Sequence, residues 1–107
     1  MLSHGVLLRT DGTEEPVQAA NEKAGFTLEE MYQLLGYSCD IVQMIYLVDG
    51  REMYVRKMYV DEEAKLKRTP PPPNPKATRL LAQAGRRDVV LGNALVLGVA
   101  RHWENVG

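Results

Sequence analysis

Residues 39–60 constrain the fold more than any other stretch of this chain. They read as a β-hairpin with Asp49-Gly50 at its tip. Both central residues of a two-residue type I′ turn need positive φ, which Gly adopts without steric cost and Asp tolerates. The flanks are rich in Ile, Val, Tyr and Met, which fit a pleated, half-buried surface. Neither flank alternates cleanly. In the first strand Ile41, Ile45 and Leu47 share one face, and Val42, Met44, Tyr46 and Val48 share the other. Either the strand is buried on both sides, or one face meets a partner. In the second strand Met53 and Val55 are in phase, while Met58 and Val60 have slipped by one. A bulge near Arg56-Lys57 would repair the phase. The other elements are expected to pack on or pair with this hairpin. A small chain has little material to cover two apolar faces, so the surplus face predicts a homodimer through residues 39–60.

The elements on either side announce themselves by their ends. Val6-Leu7-Leu8-Arg9 is a short strand, turned by Thr10-Asp11-Gly12-Thr13 into a return strand over 14–18. Pro16 cannot donate to a ladder, so that return is an edge strand. Thr27-Leu28-Glu29-Glu30 matches a capping box, and Leu28, Met31, Tyr32 and Leu35 form one apolar stripe of a helix. Gly36 is placed to end it in the left-handed conformation. Asp61 to Arg68 is a charged loop, and Pro70 to Pro73 a stiff polyproline connector across the surface. Asn74-Pro75 opens a second helix as N-cap and first helical residue. Ala77, Leu80, Leu81 and Ala84 supply its apolar face, and Gly85 stops it. Residues 89–99 are a strongly apolar strand region broken by Gly92-Asn93, as a bulged strand or as a tight turn between two short ones. Trp103 is expected to fold back onto an apolar edge. The fold class that follows is α+β: a twisted, mostly antiparallel sheet of five or six short strands with two covering helices, in a single domain over 1–107. The expected core is Leu8, Leu28, Met31, Leu35, Ile41, Ile45, Val55, Leu80, Leu81, Val90, Leu95 and Leu97.

Charge enters through its distribution. The net charge is −1, which gives no overall pull toward nucleic acid or membrane. Residues 1–50 hold eight acids and two bases, whereas 51–107 hold six acids and eleven bases. From Ala64 to Arg101 there are eight Lys or Arg against the single acid Asp88. Within that run Lys76 and Arg79 are three apart on one helix face, at a helix start whose free N–H groups and Thr78 suit a phosphate. With Lys65, Lys67 and Arg68, and with Tyr54 or Tyr59 to stack on a base, they form a candidate patch for an anionic ligand. The alternative is two solvated faces of opposite sign.

Catalytic signals are missing. Cys39, the only cysteine, starts a strand and reads as a small buried hydrophobe, and it excludes an internal disulfide. No Cys/His cluster has metal-ligand spacing, and no Gly-rich loop opens a helix with a Lys. The Glu14-Glu15, Glu29-Glu30 and Glu62-Glu63 pairs sit in polar segments, where nothing drives their pKa values apart. The expectation is therefore no enzymatic activity, no cofactor and no metal. No run approaches the ~18 apolar residues of a membrane span, which makes the cytoplasm the expected location.

Four pieces carry a resemblance. They are the Thr10-Asp11-Gly12 turn; the Phe26-Thr27-Leu28-Glu29-Glu30 helix start with Gly36-Tyr37 and Ile41-Val42; Asp49-Gly50 leading through Tyr54-Val55 to Glu62-Glu63-Ala64-Lys65-Leu66-Lys67; and Asn74 with Ala77-Thr78 and Asp88 to Asn93. In this order and spacing the chain resembles a family of small proteins carried by bacteriophages and plasmids, known as a domain of unknown function. It departs from that pattern at Ala64 and in the four-proline run. The resemblance implies a mobile-element origin and a place in the host-cell cytoplasm, and it brings no catalytic residues. Three functions are expected in turn. The first is a non-enzymatic protein that binds and modulates a host defence or gene-expression component. The second is an anti-defence protein that sequesters a nucleotide-like signalling molecule in a basic pocket. The third is a nucleic-acid-binding protein.

Overall fold

The computed structural model of the chain describes residues 3–48 and 55–98 and, at Val48 and Val55, the backbone alone. Five strands make one antiparallel sheet: β1 (His4–Leu8), β2 (Glu14–Gln18), β3 (Val42–Val48), β4 (Val55–Asp61) and β5 (Ala94–Leu97). Their order is β2-β1-β5-β4-β3. Two helices, α1 (Leu28–Leu35) and α2 (Pro75–Gln83), and a 3₁₀ turn at Ala64–Leu66 complete an α+β fold.

The sheet is organised around β5 and not around the hairpin. β5 comes last among the described strands, yet it inserts between β1 and β4, and all four of its residues are buried. Side chains alternate along a strand, so successive residues of β5 face opposite ways. Leu95 and Leu97 cluster with Met31 and Leu35 of α1, and Ala94 and Val96 with Ala77 and Leu81 of α2. The two helices therefore cover opposite faces of the sheet. A strand buried on both sides has no polar face to offer, which is why its sequence is continuously apolar. The β3–β4 hairpin forms one margin of the sheet.

The hairpin register corrects two expectations. Pairing runs without interruption from Val42 opposite Asp61 to Val48 opposite Val55, so no bulge interrupts Arg56-Lys57. Met58 and Val60 already face the α2 side with Ile45 and Leu47, and no phase repair is needed there. A two-residue turn at Asp49-Gly50 would set Val48 opposite Arg51, and the observed register differs. The expected tip lies outside the described residues, as do Met53, Tyr54 and Trp103.

α1 forms where the capping box requires. Thr27 Oγ1 accepts the Glu30 N–H at 3.1 Å, and Glu30 Oε1 accepts the Thr27 N–H at 2.9 Å. Glu30 Oε2 also accepts the Ala20 N–H at 2.9 Å, which ties the preceding loop to the helix. The N–H groups of Ala20 and then Thr27 hold the Glu30 carboxyl below its ordinary range. A carboxylate depressed in the folded state stabilises the fold above its unfolded pKa, and loses that contribution as pH falls through the folded one. Glu30→Gln is expected to melt lower than wild type at pH 7. That gap should close only once the pH has fallen below the ordinary Glu range and through the lower folded value, where both forms are neutral. Thr27→Ala should cost about 1 kcal/mol with no such pH dependence. Thermal melts across pH read both.

The apolar stripe of α1 is only partly used. Met31 and Leu35 are buried, while Leu28, in the first turn, stays 59% exposed and is not core. Ile41, just ahead of β3, is likewise 42% exposed. Leu80 is half-buried against the α2-side cluster. The helix ends differently from expectation: Gly36 has φ 63° with ψ −158°, outside the left-handed well, and positive φ continues through Tyr37 and Ser38.

The proline run is held against the chain that feeds β5. Prolines lack N–H donors but keep their carbonyls. Gly92 N–H donates to Pro72 O at 2.8 Å, and Pro73 makes an isolated antiparallel bridge with Leu91. Gly92, at φ +84°, then turns the chain into β5. The break at Gly92-Asn93 thus separates a segment paired with the prolines from a strand paired in the sheet. Asn74 closes this junction. It is fully buried, and its Oδ1 accepts the Ala77 N–H at 3.1 Å. Its Nδ2 donates to Leu8 O at 2.9 Å and to Gly92 O at 3.0 Å.

Candidate functional site

The cationic residues of the second half do not form one surface. Lys65 pairs with Asp88, and Lys67 pairs with Asp61 at 2.6 Å and also donates to the Tyr37 carbonyl. Arg68 is exposed in the loop beyond the 3₁₀ turn. Thr78 Oγ1 accepts the Val90 N–H at 3.0 Å, so it anchors the approach to β5. The start of α2 is not open to a phosphate either. Pro75 has no N–H, Asn74 itself takes the Ala77 N–H, and Asn74 is buried. Tyr59 packs into the α1-side cluster, and Tyr54 lies outside the described residues. Of the described cations of the expected patch, Lys76 and Arg79 come together over one cleft.

The cleft, of about 260 Å³, lies on the α2 side of the sheet. Lys76, Arg79, Leu80 and Gln83 overhang it from α2 at helical spacing, and Val6, Leu8 and Val96 form its floor. Arg56 reaches it from β4, and Glu14 from β2. Lys76 Nζ pairs with Glu14 Oε2 at 2.7 Å. Arg56 and Glu14 arrive from strands distant in sequence, so nothing in the linear spacing associates them with Lys76 and Arg79.

A second surface lies on the opposite face and at the opposite margin. Among the described residues no strand pairs with the outer side of β3. Its seven residues, Val42–Val48, carry no charge. Ile45 and Leu47 are buried beneath α2's side of the sheet, whereas Val42 packs with Tyr59 toward α1. Farther along the α1 side Met44 and Tyr46 are 38% and 54% exposed. The other margin, β2, differs in kind. It carries Glu14 and Glu15 and has Pro16 at its centre, opposite Val6. Acidic side chains and a residue without an N–H both discourage strand addition, and β3 has neither.

Cys39 is buried, its Sγ lies 3.6 Å from Ile41 O, and burial pushes its thiol pKa up, away from the thiolate a nucleophile needs. Among the described residues no cluster of three or more His, Cys, Asp or Glu is placed to hold a metal ion, and no helix is long and apolar enough to cross a membrane.

A model of a family described as a domain of unknown function matches residues 4–106, nearly the whole chain. No curated protein and no solved structure matches it.

Proposed function

The chain belongs to the DUF3846 family, and we propose that it is a non-enzymatic interaction protein that docks its partner along the outer edge of β3. The contrast between the two sheet margins carries this reading: one edge is guarded by Pro16 and two glutamates, and the other is an uncharged, seven-residue strand with Met44 and Tyr46 exposed beside it. Strand addition supplies main-chain hydrogen bonds, and pockets for alternate side chains give selectivity. A host protein acting in defence or gene expression, met in the host cytoplasm by a mobile-element product, is the partner this reading carries.

A second copy fits the same edge. Antiparallel self-pairing centred on Ile45 sets Met44 opposite Tyr46 and Val42 opposite Val48, with no like charges facing. Such a homodimer uses the hairpin of residues 39–60.

Tyr46→Lys tests the surface. Tyr46 is exposed but stands opposite Lys57, so the variant should lose about 0.2–1 kcal/mol to the two like charges it sets facing each other and still fold. Native mass spectrometry of wild type and variant reads self-association, and affinity capture from host lysate reads other partners. A dimer lost on substitution assigns the edge to a second copy. A monomer whose captured protein disappears with Tyr46→Lys assigns it to that host protein. Assembly and capture indifferent to the substitution, or no assembly and no capture, overturn the reading.

A further inference from the structure

We infer that the cleft beneath α2 binds a small amphipathic anion, an acid with a short apolar body, at a site separate from the β3 edge. Two features of one cavity point this way. The floor is aliphatic: Val6, Leu8 and Val96 lie under Leu80, and Val6 and Leu80 are only partly buried. The rim is cationic. Among the described residues the lining holds Arg56, Lys76 and Arg79 against the single carboxylate Glu14, and that carboxylate is engaged by Lys76 at 2.7 Å. Arg79 makes no ion pair with a described carboxylate.

The geometry sets the class of ligand. The cleft's ~260 Å³ is worth roughly nine waters, enough for an acid of about a dozen heavy atoms and too little for a drug-sized molecule. An apolar body would cover Val6 and Leu80, the two cleft side chains left only partly buried, and removing that surface from water is favourable. The acid head would meet Arg79. A guanidinium is less strongly hydrated than an ammonium and presents a planar fork to a carboxylate or phosphate, so it gives up less on binding. A bare inorganic anion gains nothing from the floor, and a neutral chain gains nothing from the rim. Both parts are needed for selectivity.

Decanoate is the probe, with decanol and inorganic phosphate as the two halves tested separately. Methyl-resolved NMR titration of the full chain should show decanoate shifting Val6, Leu8, Leu80 and Val96, with weaker shifts from decanol and from phosphate. Arg79→Gln, at an exposed position of α2, should leave the melt unchanged and weaken decanoate about tenfold, with less sensitivity to salt than wild type. Decanol binding as tightly as decanoate would reduce the cleft to an apolar crevice and overturn the inference. Phosphate binding as tightly would reduce the site to charge alone and overturn it too. So would an Arg79→Gln variant that binds decanoate as wild type does, or shifts scattered over methyls outside the cleft. Tyr46→Lys should leave the titration unaltered, so failure here is distinguishable from failure of the β3 docking edge.

Discussion

Asn74→Leu is expected to lower the stability of the fold by about 4 kcal/mol, a large share of the roughly 5–15 kcal/mol that a small domain has. The side chain fits its site in shape, but every polar bond it made is lost. The N-cap of α2 contributes about 1 kcal/mol. The carbonyls of Leu8 and Gly92 are then left in a site with no exposure, at about 1–3 kcal/mol for each orphaned group. Asn74→Asp separates the two contributions. Aspartate caps a helix as well as asparagine, so the Ala77 bond survives. It offers two carbonyl oxygens another acceptor, and its anion is repelled and desolvated. Its folded pKa should therefore rise, and a raised folded pKa stabilises the fold at low pH and loses that contribution as pH rises. Asn74→Asp should be more destabilised at pH 7 than at pH 4, and Asn74→Leu equally at both. Chemical denaturation at the two pH values measures this. Equal losses for Asn74→Asp at both would mean that the carbonyl bonds contribute little and the cap alone matters.

Leu95→Ala is the second large effect, at about 3–4 kcal/mol. Leu95 is fully buried at the middle of the central strand, opposite Leu7 on one side and Tyr59 on the other. Strands flanking it on both sides prevent collapse of the cavity. The same change at Leu28 removes the same atoms from a side chain that is 59% exposed, and should stay within about 0.5 kcal/mol. Leu95→Met, which conserves volume, should cost under about 1.5 kcal/mol. Near-equal losses at Leu28 and Leu95 would contradict the placement of β5 at the centre of the sheet.

The difference between those two leucines shows where sequence reasoning stops. Leu28 sits on the apolar stripe of a helix and Leu95 in an apolar strand run, and both belonged to the expected core. Local signals are written in the chain because the groups involved are neighbours. Thr27 and Glu30 are three apart and cap one helix, Asn74 and Pro75 open another, and Pro16 marks an edge strand wherever its sheet lies. The apolar surplus of residues 42–48 was also legible, as two faces of which one lacks cover. Strand order was not, because β5 enters between β1 and β4, and no period in the sequence encodes that insertion. The basic run of 64–101 divided for the same reason. Lys65, Lys67 and Lys76 meet Asp88, Asp61 and Glu14, carboxylates brought beside them only by folding, and Coulomb attraction acts over ångströms, not over positions in a chain. The sequence alone determined the helices, their N-terminal caps and the apolar strands. The tertiary structure decided which strand is central, which edge is open and which cations share a cleft, since each depends on contacts between segments that only the closed sheet brings together.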